Sequence, residues 1–172
     1  MADIQDNREI LVEWLRDAHA MEEQAEKMLS SFCDRLEHYP ELKGELTNQI
    51  NMSQNQQATL QQCLDQLGES SSAIKDAGAK LMGWSQALSG TLMSDEVVKG
   101  VMSIYVFTQM EIASYTILAA AAQQAGLTNV QTVCEELLSQ EKIRGQWLYD
   151  YLPRITQAFL ARAAGAGTTA KR

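Results

Sequence analysis

Proline is almost missing from this chain: Pro40 and Pro153 are the only two in 172 residues. The ten glycines fall mostly between periodic segments or near the C-terminus. A strand-rich fold needs turn residues every ten positions or so, and that punctuation is not here. Closely spaced cysteines are missing too. Cys33, Cys63 and Cys134 are an odd, dispersed set without a CxxC pair. They read as reduced thiols that fill small core positions of a cytoplasmic protein. Basic charge is in deficit, with 14 Lys and Arg against 22 Asp and Glu and a net charge of −8. Such a surface repels phosphate backbones and gains nothing from anionic lipid, so neither nucleic acid nor membrane is expected as a partner. The N-terminal MADIQDNREILVEWLRD has no apolar core or basic leader of the signal-peptide kind. No run of about 18 apolar residues is evident, so no membrane-spanning segment is expected.

Long helices remain. Hydrophobic content is 45%, and the length suits one domain, expected over residues 1–163 with a disordered tail over 164–172. Steps of four and three connect Leu11, Leu15, Ala18, Glu22, Ala25, Leu29, Phe32 and Leu36 into one helical stripe. Pro40 suits the first turn of a second helix. Its stripe runs through Leu42, Leu46, Gln49, Ser53, Gln56, Leu60, Cys63 and Leu67 to a stop at Gly68. Ser94-Asp95-Glu96 is a capped start for a third stripe, Val97, Val101, Ile104, Thr108, Glu111, Tyr115, Leu118 and Ala122. After Gly126, with Thr128 as cap, the fourth runs Val130, Cys134, Leu137, Glu141, Arg144, Leu148, Tyr151 and Ile155, with a kink expected at Pro153. The expected fold is all-α, a ferritin-like antiparallel four-helix bundle of two helical hairpins. A short extra helix (Ile74, Ala77, Leu81, Trp84, Leu88) is expected in the long crossover. Trp84 with Tyr105 and Phe107 suggests a second face outside the four stripes, a dimer surface or a seat for that helix. The scattered methionines, from Met21 to Met110, read as core or interface filling.

Each stripe is apolar at its ends and polar in its middle. Hairpin arithmetic sets Glu22 beside residues 53–56 and Glu111 beside 141–145, so the interruptions fall at one height. Buried polar groups cost stability unless neighbours satisfy them, and four matched interruptions call for a reason. One reason is a metal: carboxylates on facing helices can bridge iron or manganese. The candidate ligands are Glu22, Glu111 and Glu141, with Glu26 and His19 in reserve because they share a face with Glu22. No Glu-x-x-His occurs, and His19 and His38 are the only histidines. The other reason is a hydrogen-bonded polar core without metal, in which Arg144 supplies the positive charge and Gln49, Ser53, Gln56, Thr108 and Tyr115 the donors.

Leu15-Arg16-Asp17-Ala18-His19-Ala20-Met21-Glu22 with Gln24-Ala25-Glu26 resembles the first helix of the YciE/YciF-like bacterial stress proteins. Tyr39-Pro40-Glu41-Leu42, Ser94 to Gly100, Tyr105 to Tyr115, and Gln140-Glu141-Lys142 through Trp147-Leu148 continue the likeness, which is nearest to the YciE branch. The resemblance implies a ferritin-like bundle, a homodimer, stress-linked expression and a di-iron-type centre. It also implies His at the position of Gln49 and Glu at those of Met52, Thr108 and Gln140, while Glu22, Glu111 and Glu141 match. The expected function is therefore a stress-response protein whose carboxylate site is degenerate or reduced, with little or no catalysis. The alternatives are a working di-iron protein that consumes oxygen or peroxide, and a metal-free interaction protein.

Overall fold

In the computed structural model, residues 2–69 and 95–165 are described, with side-chain surroundings from residue 7 onward. Four helices account for them: α1 (Ala2–Arg35), α2 (Pro40–Gln66), α3 (Glu96–Gln124) and α4 (Thr128–Ala163). Among the described residues there is no strand. The helix expected over Ile74–Leu88, Trp84 and most of the expected tail lie outside them.

Two chain reversals make the hairpins. Pro40 opens α2, where a missing N–H is harmless. At the far end of α2, Gly68 takes φ +80°, its N–H bonds to Asp65 O, and Glu69 N–H reaches back to Leu64 O. Gly126, at φ +70°, repeats this pattern with Gly126 N–H to Gln123 O and Leu127 N–H to Ala122 O. Both are left-handed caps that satisfy the last carbonyls of a helix. The helix starts differ from expectation. Asp95 makes no side-chain cap bond and its carboxylate instead meets Lys99 at 3.1 Å. Thr128 is already inside α4, whose N-cap is Leu127. Helix α4 continues past Pro153 to Ala163.

Helix α1 packs on α2 and α3, and α4 on α3 and α2. Phe32 meets Gly100 while Glu22 meets Tyr115, so α1 and α3 are antiparallel. Helices α2 and α3 therefore run the same way from diagonal corners. Arg8 in the first turns of α1 donates to Leu67 O at 3.0 Å, and Arg35 at its end pairs with Glu96. The chain thus leaves α2 at one end of the bundle and enters α3 at the other, the connectivity of a single-crossover ferritin-like bundle.

The four stripes form the core, and each of their residues is buried except Leu67 at the end of α2. Two apolar clusters result. One joins Leu11, Leu15, Leu60, Leu118, Val130 and Leu137. The other joins Leu29, Phe32, Leu42, Leu46, Val97, Ile104, Leu148 and Ile155. Each draws on all four helices, and the polar layer lies between them. Phe107 belongs to the first cluster rather than to an outer face, whereas half-buried Tyr105 packs on Tyr149 with ring centroids 5.8 Å apart. Helix α3, 29 residues long with an 18-residue window of mean hydropathy 1.2, is long and apolar enough to cross a membrane by length and composition. It is also the helix that brings buried Glu111 to the middle of the bundle, flanked by two others.

Candidate metal centre

Glu22 from α1, Glu111 from α3 and Glu141 from α4 are fully buried, and each brings a carboxylate oxygen within 4.8 Å of the others. Three rigid helices fix the three positions. The fourth helix, α2, brings amides and a hydroxyl rather than charge. Gln56 Nε2 donates to Glu141 Oε1 at 2.7 Å and to Gln140 Oε1 at 3.2 Å.

Arg144 lies one turn from Glu141 on α4 and is nearly as buried as the carboxylates it joins. Its guanidinium pairs with Glu111 Oε2, meets Glu141 Oε2 at 2.7 Å and donates to Ser53 Oγ at 3.4 Å. Tyr115 donates its hydroxyl to Glu22 Oε1 at 2.7 Å. These bonds leave Glu22 Oε2, Glu111 Oε1, Thr108 Oγ1, Gln49 Oε1, Gln56 Oε1 and Arg144 Nε buried without a hydrogen-bond partner, and Glu141 Oε2 with only its ion pair to Arg144.

Burial and mutual repulsion dominate the electrostatics. Removal from water pushes the Glu22 carboxyl above its ordinary value, although Arg144, Tyr115 and Ser53 pull it back. Burial and the charge of Glu22 push Glu141 up to about 8. The hydrogen bond from Gln56 offsets only part of that rise. Glu141, coupled to Glu22, therefore keeps its proton at neutral pH. Burial pulls Arg144 down to about 10, which leaves it cationic at neutral pH. Burial and the Glu22 charge hold the Tyr115 hydroxyl far above its ordinary value, so it stays a neutral donor.

The two reserve residues stand elsewhere. His19 Nδ1 lies 3.8 Å from Glu23 Oε1, and burial lowers its basicity. Glu26 accepts from Gln54 at 2.7 Å and from Gln57 at 2.8 Å on the α1–α2 surface. The carboxylate cluster found among the described residues holds neither. A further buried acid read in the sequence only as part of a helix start: Glu96, 1% exposed, accepts from Arg35 Nε at 2.6 Å. It reads as a helix-start acid, and its only signal was its position directly before the apolar Val97.

The donor set can be tested against a ferritin-like two-metal centre, which uses four carboxylates and two histidines. Here there are three carboxylates, no imidazole and a guanidinium in their midst. Gln49 and Thr108 occupy the remaining polar positions of the layer. A two-ion centre does not fit these residues. A single hard cation does: the orphaned oxygens of Glu22 and Glu111 are anionic donors without a partner, and hard divalent ions take oxygen ligands.

The chain is similar over most of its length to proteins of known structure. The crystal structure of a protein from Xanthomonas campestris pv. campestris shares 39% identity, with a TM-score of 0.77 over 92% of this chain and 98% of that one. A ferritin-like, diiron-carboxylate protein of Bacillus anthracis str. Ames has a TM-score of 0.69 at 16% identity, over 85% of this chain and 97% of that one. The latter likeness is one of fold. A family model, described as Domain of unknown function (DUF892), matches residues 6–161, and this chain belongs to that family.

Proposed function

We propose that this is a ferritin-like stress-response protein of the YciE/YciF kind, whose carboxylate centre is a reduced metal site. It takes at most one divalent cation, iron or manganese, and carries out little or no catalysis. The reading is carried by one observation. Three buried carboxylates converge within 4.8 Å, two of them with unpartnered oxygens, yet the imidazoles and further acids of a two-metal centre are replaced by amides and hydroxyls. The likeness to a diiron-carboxylate protein supports the fold beneath this reading. The stress role and a homodimer belong to the same proposal and rest on the sequence likeness to the YciE branch, a cytoplasmic setting rests on the dispersed cysteines, and a single domain ending near residue 163 rests on chain length and the small, polar tail.

A bound divalent ion would supply positive charge and Lewis acidity at the layer. Glu22, Glu111 and Glu141 would hold it, while Tyr115 orients the Glu22 carboxylate by its hydrogen bond. The apolar clusters on either side keep water from the layer.

Metal analysis of protein purified from iron- or manganese-supplemented culture tests the proposal. At most one ion per chain is expected. Two ions per chain would overturn the reduced-site reading.

A further inference from the structure

The Arg144 guanidinium is ion-paired through one terminal nitrogen, while its Nε is left without a hydrogen-bond partner. A lone arginine in a bundle core is expected to be costly unless its partners are in place. Here the partners are two of the three clustered acids, one on its own helix and one on α3. Three carboxylates and one guanidinium sum to two negative charges when all are ionised, which is the charge one divalent cation neutralises. Two divalent ions would leave the dry layer with two positive charges, and one trivalent ion would leave it with one. Such uncompensated charge in a low-dielectric core is strongly unfavourable. The unpartnered oxygens show where the single ion has donors. Glu22 Oε2 and Glu111 Oε1 lack partners, while Arg144 takes the other Glu111 oxygen.

We infer that Arg144 is a built-in cation that stands in one metal position of this centre, and that it restricts the centre to a single weakly held divalent ion. The inference deepens the reduced-site reading and rests on it. It assigns to one residue both the ion count and the preference for divalent over trivalent charge. Without a metal, Arg144 is the group that keeps three buried acids together. With a metal, it competes for Glu111 and Glu141. Removing its charge therefore weakens the empty centre and strengthens the loaded one, opposite effects that a purely structural arginine would not produce.

The test uses the full chain, stripped with chelator and titrated with Mn2+, with the free ion followed by electron paramagnetic resonance. Thermal melts with and without Mn2+ accompany the titration. Arg144→Met is expected to bind Mn2+ at least about tenfold more tightly than wild type, because a competing charge is gone. Its melting temperature should fall without metal and rise further than that of wild type when Mn2+ is added. Arg144→Gln, which keeps amide donors without charge, should behave in the same direction and guards against failure of the Met variant to fold. Recovery of a poorly folded Met variant on refolding with Mn2+ would also support the inference. Arg144→Lys retains the charge and should bind as weakly as wild type. Two neutral variants that bind Mn2+ no more tightly than wild type would overturn the inference and leave the reduced-site reading standing. A lysine variant as tight as the neutral ones would do the same. Two ions bound to wild type would overturn both.

Discussion

At the scale of single residues the carboxylate trio has a measurable signature in pH. The Glu141 carboxyl stands near 8 in the fold against an ordinary value of 4.5, and Glu22 is raised as well. The folded chain therefore binds protons that the unfolded chain has already released between about pH 4.5 and 8. Folding stability must fall as pH rises through that interval, and the contribution is fully present only below it. The melting temperature of chelator-treated protein is expected to drop from about pH 5 to about pH 8. Glu141→Gln should flatten the profile, because an amide keeps the shape and has no proton to lose. A flat wild-type profile would show that Arg144 alone keeps all three acids ionised. Much of this was legible in the sequence. Glu22, Glu111 and Glu141 announced themselves as charged members of apolar stripes, and Arg144 by its place one turn from Glu141. What the sequence did not settle was side-chain reach. His19 and Glu26 share a helix face with Glu22 by spacing, yet they turn to Glu23 and to Gln54 and Gln57. Periodicity gives the direction of a Cβ, not the partner at the end of a long side chain.

At the scale of helices, the stripes and reversals followed from spacing because heptad burial and glycine caps are local rules. The helix starts did not. Asp95 and Thr128 have the chemistry of caps, but Asp95 is drawn to Lys99 and Thr128 falls one position inside its helix. Contacts between helices were also beyond sequence reasoning, and Gly100 on α3 is the clearest case. A Cβ placed there would stand 2.5 Å from the ring of Phe32 on α1, far inside van der Waals contact. Glycine thus sets how closely α1 and α3 approach at the α3 entry, where Arg35 also pairs with Glu96. Gly100→Ala should gain some helix propensity and still lose about 1–3 kcal/mol to overpacking. The companion change Phe32→Leu is expected to return part of that loss, because it removes the clashing ring atoms. Chemical denaturation of the two single variants and the pair would measure this coupling, and simple additivity would place the cost elsewhere.

At the scale of the whole molecule, the polar layer divides one core into two apolar clusters, each built from all four helices. A bundle designed for stability alone would have no such interruption. Buried ion pairs are often matched or exceeded by well-packed apolar residues, whereas removing one partner strands a buried charge at a cost of about 3–5 kcal/mol. The layer is therefore expected to behave in opposite ways under partial and complete replacement. Glu111→Leu alone leaves Arg144 with Glu141 as its remaining acid and should destabilise the chain strongly. Replacing Glu22, Glu111 and Glu141 with Leu and Arg144 with Met, together with Tyr115→Phe to remove the hydroxyl that Glu22 accepts from, joins the two clusters. That fivefold variant is expected to equal or exceed wild type by about 1–4 kcal/mol in denaturant unfolding. If it does, the carboxylates and their arginine do not serve folding, and the layer is kept for the ion it can hold. A fivefold variant well below wild type would instead make the layer a structural device, with Arg144 as its keystone.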